Sequence, residues 1–581
     1  MCGIVGYVGH RRAAPVIYEC LKRLEYRGYD SAGIATAYGE MHINKSEGRL
    51  DRIKNVGSMP GRIGIGHTRW ATHGPPSTPN AHPHTDCSGR IAIVHNGVIE
   101  NYAELKRMLV RKGHRFSSET DSEIVVHLIE EKAEKQGVEE AVRSALSMLE
   151  GSYAIVVMHS GYEKLFFGRK YSPLVVGIGK NEMFCASDIP ALLPYTNKYV
   201  VVEDGFFGYI TDSEVYLEKE GKKVKPKIIR VGWSAEMAQK EGYPHFTIKE
   251  IHEQPRAIIE TLGGEFEQGV ELIKKFERLH IVGCGTAFHA GLIFRYLLHR
   301  YAKRQCDAFV ASEYRHSYVP IDRKTLVFAI SQSGETADTL LAVREAKGKG
   351  AKTMALVNVL GSSLTREADV VAYTHAGPEI SVVSTKAFVA QVAALSYMAF
   401  RLSGHNYLIK ELRKLPSDIG KVMALEKKMK ALAKKYYRKN DFFFIGRGLS
   451  YPIALEAALK LKEISYAHAE AYPAGELKHG PLSLLEKDVV VIAIAPSDET
   501  KIKMVNNIKE CKARGATVIV LSDSDDVFDG IDEFIELPRI KTALSPIPYI
   551  IPLQMFAYYT AVLRGNDPDK PRNLAKSVTV E

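Results

Sequence analysis

The chain has 581 residues, of which 45% are hydrophobic and 25% are charged, and its formal net charge is +10. This length exceeds what one hydrophobic core can organise and indicates about three to five domains. The composition excludes disordered and collagen-like proteins. The seven cysteines are scattered without CxxC pairs, which argues against a disulfide framework or a zinc ribbon and favours a reducing, cytoplasmic setting.

No segment of the sequence predicts a membrane span or a signal peptide. The most apolar late stretch, residues 547–563, is interrupted by prolines and a glutamine and is shorter than the ~20 residues that a span requires. Basic residues cluster at 221–227, in a connection with a proline, and at 427–440, with the spacing of a solvated helix face. We therefore expect no membrane or nucleic-acid partner. A basic surface also suits small anionic substrates.

The chain begins MCGIVGYVGH, so removal of the initiator methionine would leave Cys2 with a free amine and a free thiol. The ordinary pKa is ~7.7 to 8.0 for such an amine and ~8.5 for the thiol, so the amine can take the thiol proton near neutral pH. The alternative is a buried cysteine in a first strand, because the segment alternates small and branched apolar residues. This segment alone leaves both interpretations open.

Residues 2–232 predict a sheet-rich domain with a few helices packed on it. Short apolar segments such as RIAIVHNG and SYAIVVMH recur through this region and have the pattern of strands. Residues 233–265 have mixed polarity, few apolar runs and a proline. We interpret them as a linker.

The rest of the chain repeats a strand, a Gly/Ser turn and a helix, which is typical of βαβ units around a parallel sheet. The second half of this region echoes the first, since Ser333-Gly-Glu-Thr matches Ser497-Asp-Glu-Thr about 164 residues later. The sequence therefore predicts a duplicated α/β domain, residues 266–410 and 430–565. A tail, residues 566–581, follows.

The two copies differ at the turn after their second strand. The first copy carries four hydroxyl or amide side chains there: Ser331, Gln332, Ser333 and Thr336. The second copy has Ala495 and Pro496 in place of the first two. Such side chains between a strand end and a helix N-terminus form anion sites, and four of them exceed what one helix cap uses. We predict a phosphate site in the first copy only.

Motifs along the whole chain carry a family resemblance. The N-terminal motifs are CGIVGYVG, LEYRGYDSAGIA, GHTRWATHG, NAHPH, VHNGVIENY and SETDSE. In this order they resemble the class II, N-terminal-nucleophile glutamine amidotransferases. The C-terminal motifs are CGTAFHAG, SQSGETADT, VSTKAF, EAALKLKEISY, AEAYPAGELKHGPL and PRNLAKSVTVE. They resemble the double sugar-isomerase half of the glucosamine-6-phosphate synthase family.

The resemblance implies an α/β multidomain fold, with an N-terminal-nucleophile (Ntn-type) αββα glutaminase sandwich followed by two doubly wound parallel-sheet sugar-isomerase domains. It implies conversion of fructose 6-phosphate and L-glutamine into glucosamine 6-phosphate and glutamate, the first step of hexosamine (UDP-N-acetylglucosamine) synthesis. Ammonia would pass between the two sites through an internal channel. The resemblance also implies a homodimer and requires no cofactor and no metal.

In the glutaminase half, the resemblance assigns Cys2 as the nucleophile that attacks the side-chain amide of glutamine. Asn96 and Gly97 would form the oxyanion hole. Arg69 would bind the α-carboxylate of glutamine, and Asp121 would pair with its α-amine. Taken singly, these residues also fit a hairpin turn, a surface ion pair and a helix N-cap.

Three further residues of this half are secondary candidates by resemblance. Thr72 and His82 would line the glutamine pocket, and Trp70 resembles the gate to the ammonia channel, although a lone tryptophan also fits simple packing. Several histidines in this Pro/Gly-rich region lack the helical spacing of a zinc site. We interpret them as residues that order loops: His67, His73, His82, His84 and His95.

In the sugar-isomerase half, the resemblance places fructose 6-phosphate on the four-residue phosphate turn, with Thr286 and Ser384 beside it. Glu463 is the expected base that moves a proton between C1 and C2. Lys460 lies three residues earlier on the same helical face, close enough to tune this carboxylate. The same spacing fits a plain surface salt bridge.

Two more catalytic residues follow from the resemblance. His479 matches the residue that opens the sugar ring, which the neighbouring subunit supplies, and Lys576 matches the lysine that holds the open sugar as a Schiff base. The tail that carries Lys576 would close over the sugar site and exclude water. The chain departs from the family at Ala287, where a serine is common.

Two other functions fit parts of the sequence. A glutaminase coupled to a different sugar-phosphate acceptor predicts a pyrophosphate loop with paired acidic residues after a strand, and the chain has SQSGET instead. A sugar-phosphate-sensing regulatory protein with a decayed glutaminase predicts loss of Glu463, His479 or Lys576, and all three are present.

Overall fold

The structure is a computed structural model that describes residues 2–71, 73–233, 237 and 239–579. The chain forms two compact units, the first from Met1–Ala238 with Ala575–Glu581 and the second from Gln239–Leu574. Within the described ranges, every helix is too short or too polar to span a lipid bilayer.

The first unit is built mainly of strands. In chain order these are β1 (Gly3–Gly9), β2 (Ser31–Tyr38), β3 (Glu40–Glu47), β4 (Ile63–Arg69), β5 (His84–Thr85), β6 (Ile91–Ile99), β7 (Gly151–His159), β8 (Leu165–Lys170), β9 (Val175–Ile178), β10 (Glu182–Ala186), β11 (Lys198–Val201), β12 (Phe206–Ile210), β13 (Val215–Lys219), β14 (Lys222–Lys223) and β15 (Ile228–Arg230). Its α-helices are α1 (Ala13–Lys22), α2 (Tyr102–Arg111), α3 (Glu123–Ala133) and α4 (Val138–Leu146).

These strands form two antiparallel sheets, ordered β15-β11-β9-β10-β1-β4-β2-β3 and β14-β13-β12-β8-β7-β6-β5. Side chains alternate along β6, so Ala92 and Val94 face the other sheet while Ile91 and Ile93 face α2, α3 and α4. Helix α1 packs on β1 and β4 of the eight-stranded sheet. The layers are therefore αββα, which confirms the expected sandwich.

The second unit alternates helices and parallel strands. Its helices are α5 (Phe246–His252), α6 (Gln254–Leu262), α7 (Glu267–Lys274), α8 (Thr286–Leu297), α9 (Ala311–Tyr314), α10 (Ala337–Gly348), α11 (Ser363–Glu367), α12 (Lys386–Ser403), α13 (Asn406–Met423), α14 (Glu426–Tyr436), α15 (Ser450–Ser465), α16 (Lys501–Lys512) and α17 (Pro546–Leu563). Its strands are β16 (Arg278–Gly283), β17 (Asp307–Val310), β18 (Thr325–Ser331), β19 (Lys352–Val357), β20 (Val370–Tyr373), β21 (Asp441–Gly446), β22 (His468–Pro473), β23 (Val490–Ile494), β24 (Thr517–Ser522) and β25 (Glu533–Glu536).

The two sheets of this unit share one topology. Their orders are β17-β16-β18-β19-β20 and β22-β21-β23-β24-β25, and all neighbouring strands are parallel. In each sheet the chain order reverses direction beside the first strand. Ligands of such sheets bind at the carboxyl ends of the strands near that reversal. The predicted duplication is confirmed, and the predicted phosphate turn follows β18, at this point of the first copy.

The segment interpreted as a linker, residues 233–265, differs from that expectation. It contains α5 and α6, and Ile251 and Ile258 on these helices are fully buried in the apolar core of the second unit. The segment has mixed polarity because α6 is amphipathic and because α5 buries two charged residues, Lys249 and Glu250, beside its apolar ones. Mixed polarity in short helices resembles that of a linker when the buried face cannot be seen.

We expect Ile258→Ala to lower the free energy of unfolding by about 2 to 5 kcal/mol, because it opens a cavity in this core. Ile259, its neighbour on α6, is 61% exposed, so Ile259→Ala is a matched control with an expected effect within about 0.5 kcal/mol. Urea unfolding of the full chain measures both. Equal effects would contradict the placement of α6 in the core.

Candidate active sites

Cys2 directly precedes β1, next to the end of β4. The Trp70 N–H donates to Cys2 Sγ at 3.2 Å, and the thiol donates to Trp70 O at 3.4 Å. The Cys2 carbonyl accepts from Asn96 Nδ2 at 3.0 Å and from Arg27 Nε at 3.2 Å. Burial raises the pKa of the thiol, and the Trp70 N–H and the charges of Arg69 and Arg27 only partly oppose this. A proton acceptor is therefore needed to form the thiolate.

The amide of Asn96 has a defined orientation. His67 Nε2 lies 3.0 Å from Asn96 Oδ1 and 3.0 Å from the carbonyl oxygen of His95. Both oxygens only accept, so Nε2 carries the proton and Asn96 Nδ2 faces the other way. There Nδ2 donates to the Cys2 carbonyl and, at 2.9 Å, to Ser187 Oγ. Sequence reasoning missed Ser187 and gave His67 only a loop-ordering role.

Gly97 lies inside β6, paired with Tyr153 of β7, and not in a hairpin turn. Its φ is +127°, and a Cβ there would collide with the carbonyl oxygen of Ser152. Only glycine suits this backbone.

Arg69 and Asp121 are both buried, each 3% exposed, so the surface ion pair considered for Arg69 is wrong. Its guanidinium donates to the carbonyls of the loop 73–75 and, within the described part of the chain, pairs with no carboxylate. Burial lowers the pKa of Arg69, while the charges of Cys2, Asp30 and Asp121 oppose that shift. Asp121 accepts from the backbone N–H of Ile99 at 2.8 Å and does not cap α3.

Four of the five histidines of this region, all except His73, are buried and lie close together. The His67 and His82 rings are stacked at 4.1 Å, the His84 ring meets His82 edge-on at 4.5 Å, and His82 Nδ1 accepts from the His95 N–H. Burial lowers the pKa of His67 to about 3 and those of the other three in the same direction. These imidazoles are neutral. The loop interpretation is wrong for His67, His84 and His95, which lie in β4, β5 and β6.

The secondary candidates are placed unequally. His82 is only 3% exposed, and its ring stacks on the ring of His67. The Trp70 ring is half-buried and meets Tyr29 edge-on at 5.6 Å. Thr72 lies outside the described residues.

The second unit contains a buried charge cluster on α15. Lys460 Nζ lies 2.7 Å from Glu463 Oε2 and 3.3 Å from Glu456 Oε1, and it donates to Thr286 Oγ1 at 3.0 Å. Lys460 is 1% exposed. Burial lowers the pKa of Lys460, but the charges of Glu456 and Glu463 raise it by a larger amount, so this pKa lies above its ordinary value. The ammonium stays charged, and the surface salt bridge considered for this spacing is wrong.

Glu456 is the member of this cluster that sequence reasoning missed. It is fully buried and accepts from Thr286 Oγ1 at 3.0 Å and from His289 Nδ1 at 2.8 Å. Both donors lie on α8 of the first copy, whereas Glu456 lies on α15 of the second. The spacing of Glu456, Lys460 and Glu463 at i, i+4 and i+7 on one helical face was the available signal.

The predicted phosphate turn joins β18 to α10. Ser331 Oγ accepts from the Gly334 N–H at 3.0 Å and lies 3.4 Å from Thr336 Oγ1, and no side chain caps α10. In the second copy, Asp498 Oδ1 accepts from both the N–H and the hydroxyl of Thr500 at the start of α16. A carboxylate thus lies where an anion would bind.

The remaining sugar-site candidates vary in their surroundings. Gln332 and Ser333 are half-buried in the phosphate turn. The Ser384 hydroxyl donates to Glu379 at 3.1 Å. Ala287, where the family commonly has serine, is 9% exposed and belongs to the apolar core.

The two remaining catalytic candidates are His479 and Lys576. His479 is exposed at the end of a 3-10 helix, Ala474–His479, and forms no hydrogen bond or ion pair with the residues that the structure describes. Lys576 is half-buried and is part of the first unit.

Comparisons with known proteins agree with these two kinds of site. A glutamine amidotransferase domain model matches residues 67–194, and an SIS domain model matches residues 271–401 and 435–564. The C-terminal domain of glucosamine-fructose-6-phosphate aminotransferase from Francisella tularensis matches 57% of this chain and 99% of its own, with 38% identity and a TM-score of 0.55. The fold and sites thus define an amidotransferase joined to two sugar-isomerase-type domains.

Full-length relatives narrow this class. The chain is 50% identical to the glutamine–fructose-6-phosphate aminotransferase (isomerizing) of Thermococcus kodakarensis and 49% identical to that of Pyrococcus horikoshii, over 100% of each chain. The chain therefore belongs to the glutamine–fructose-6-phosphate aminotransferase (isomerizing) family, whose members are aminotransferase enzymes.

We expect the first unit to lose stability as the pH falls below about 6.5. The lowered pKa values of His67, His82, His84 and His95 keep these rings neutral when folded, whereas the unfolded chain protonates them below that pH. Each contributes at most about 1.4 kcal/mol per pH unit. The raised pKa of His127 acts in the opposite sense, because its stabilising contribution grows as the pH falls. Urea unfolding between about pH 7.5 and pH 5.5 measures the slope, and a flat profile would contradict the neutral stack.

We expect Glu456→Gln to destabilise the chain by about 3 to 5 kcal/mol, because it removes one carboxylate from a buried cation. Glu536 is exposed at the end of β25, so Glu536→Gln is the matched control, with an expected change within about 0.5 kcal/mol. Urea unfolding of both variants tests this, and an equally small effect for Glu456→Gln would show that the cluster contributes little.

Proposed function

We propose that this chain converts fructose 6-phosphate and L-glutamine into glucosamine 6-phosphate and glutamate, the first step of hexosamine synthesis. The observation that carries the proposal is the presence of both halves of the chemistry in one chain. Cys2 lies beside Asn96 in the first unit, and Glu463 lies beside the buried ammonium of Lys460 in the second. Relatives that match over their full length are named for this reaction.

At the glutaminase site, removal of Met1 frees the amine of Cys2, which takes the proton that burial otherwise keeps on the thiol. The thiolate attacks the side-chain amide carbon of glutamine. The Gly97 N–H and Asn96 Nδ2 stabilise the oxyanion, Nδ2 exchanging one of its present acceptors for it, with His67 holding the amide in the donating orientation. Ammonia leaves, and water hydrolyses the thioester to glutamate.

The buried charges of the first unit select the substrate. Arg69 binds the α-carboxylate of glutamine in place of its present carbonyl partners, and Asp121 pairs with the α-amine. Two opposite charges in a buried setting favour a zwitterion. Thr72 and His82 are secondary members of this pocket, and Trp70 is the gate through which ammonia leaves.

At the sugar site, the phosphate group binds the phosphate turn and the uncapped N-terminus of α10. Ser331, Gln332, Ser333 and Thr336 supply hydroxyl and amide donors. Thr286 and Ser384 contact the rest of the sugar. The second copy does not bind phosphate, because the carboxylate of Asp498 lies at the start of α16 and repels an anion.

The amino-transfer steps follow ring opening. His479 of a second copy opens the sugar ring, Lys576 forms the Schiff base with C2, and ammonia displaces the lysine to give the fructosimine. Glu463 then takes a proton from C1 and returns it to C2. The Lys460 ammonium lies 2.7 Å from this carboxylate and holds it in place.

The proposal includes a homodimer in the cytoplasm. Dimerisation is supported by the exposure of His479, which needs a sugar site to act on. A reducing compartment is supported by the free state of all seven cysteines. No cofactor is needed for these steps.

Product analysis of the purified protein tests the function. With glutamine and fructose 6-phosphate together, we expect glucosamine 6-phosphate and glutamate in equal amounts. Cys2→Ala should lower glutamine-dependent synthesis by at least about a thousandfold and leave ammonia-dependent synthesis intact. Glu463→Gln should lower ammonia-dependent synthesis by about 10²- to 10⁴-fold, with Glu536→Gln as control. Formation of glutamate without an amino sugar would contradict fructose 6-phosphate as the acceptor and would favour a different sugar phosphate.

A further inference from the structure

A second group of polar side chains lies in the first unit, outside the residues assigned to catalysis. It comprises Cys87 after β5, His114 after α2, and His127 and Glu130 on α3. The sulfur, two ring nitrogens and one carboxylate oxygen of these residues all lie within 4.8 Å of one another. We call these four residues the Cys-His-His-Glu cluster.

The distances within the cluster fit one small ion. Cys87 Sγ lies 3.7 Å from His127 Nδ1 and 3.9 Å from His114 Nδ1, and both of these nitrogens lie 2.9 Å from Glu130 Oε2. Zinc bonds of about 2.3 Å to sulfur and about 2.0 to 2.2 Å to nitrogen and oxygen, in a tetrahedron, separate ligand atoms by about 3.3 to 3.6 Å. The two nitrogen–oxygen distances are shorter than this range and the two sulfur–nitrogen distances are slightly longer, so small side-chain shifts bring the four atoms to it.

The outer nitrogens of both imidazoles face carboxylates. His114 Nε2 lies 3.3 Å from Glu131 Oε2, and His127 Nε2 lies 3.8 Å from Glu123 Oε1. Glu123 is in turn held by the backbone N–H groups and hydroxyls of the residues 117–118. Zinc-binding histidines commonly have such an outer carboxylate, which orients the ring and strengthens it as a ligand.

The cluster also has an entry path. His127 is 1% exposed and anchors the buried end, whereas Cys87 is exposed at the surface. An ion can therefore reach the site from solvent through the cysteine side. Four protein ligands leave no open position for a reacting water, which is the arrangement of structural zinc sites.

We propose that the Cys-His-His-Glu cluster binds one zinc ion as a structural site. Binding displaces the thiol proton of Cys87 and any proton shared between the imidazoles and Glu130, so the ion is held by one thiolate, two neutral imidazoles and one carboxylate. The site links the segments after β5 and α2 to α3. Asp121 lies just before α3, so the ion braces the helix next to the residue proposed to bind the α-amine of glutamine.

Zinc binding by the full-length protein tests this inference and does not depend on enzymatic activity. The protein is stripped with a chelator, titrated with Zn²⁺, and its metal content is measured by mass spectrometry. We expect one zinc per chain. Cys87→Ser and His114→Ala should weaken binding by more than about 100-fold, and Glu131→Gln, a positioning change, by about 10- to 100-fold.

His10 is an exposed histidine of the same unit, so His10→Ala is the matched control and should bind zinc like the unaltered chain. Co²⁺ is a second probe, because a thiolate ligand adds a charge-transfer absorption that Cys87→Ser should abolish. Zinc should also raise the melting temperature of the unaltered chain and not that of Cys87→Ser.

The alternative is a network of ion pairs among the same histidines and glutamates, with no metal. It predicts no stoichiometric zinc in the unaltered chain, or equal zinc affinity in Cys87→Ser. Either result would overturn the proposal. Loss of zinc in both ligand variants, with retention in His10→Ala, supports it whether or not the proposed amino transfer is observed.

Discussion

The second unit depends on the buried ammonium group of Lys460. An ammonium that loses its water must be surrounded by acceptors, or it strongly destabilises the fold. Two carboxylates of its own helix, Glu456 and Glu463, meet part of this need, and Thr286 on α8 meets the rest. Since Glu456 also accepts from His289 on α8, the two copies of the duplicated domain are joined through one charge cluster, and the proposed base lies at its edge.

The first unit also buries polar side chains, but these are neutral imidazoles and not charged groups. Its stacked histidines are buried so deeply that their protonated forms are disfavoured. A neutral imidazole has one donor nitrogen, and in His67 that donor is Nε2, which sets the direction of the Asn96 amide. Burial thus keeps the His67 ring neutral, and this ring donates its one proton from Nε2. The donated hydrogen bond orients the Asn96 amide so that Nδ2 points to the carbonyl of Cys2.

The two copies of the duplicated domain differ at the turn that we propose binds phosphate. Both sheets have the same strand order, and both place a helix N-terminus after the third strand in chain order, β18 in the first copy and β23 in the second. Neither helix has a side-chain cap, but in the second copy the carboxylate of Asp498 lies at the turn and accepts from the N–H and hydroxyl of Thr500, whereas the first copy has Gly334 in that place. A carboxylate there repels an anion that the amides of a helix N-terminus attract. This difference, together with Ala495 and Pro496 in place of Ser331 and Gln332, supports the proposal that only the first copy binds phosphate.

The sequence by itself determined the fold class, the duplication and the family, because these depend on periodicity and on short motifs that each form within a few residues. It also predicted the strand, turn and helix around residues 331–336, since these three elements are consecutive in the chain. Only the tertiary structure decided that residues 246–262 are core helices, that Glu456 contacts α8, and that Cys87 meets His127. Such contacts join residues that are far apart in the chain. The burial that determines the charge of Lys460 and the protonation of the histidines arises only when the helices and sheets pack together.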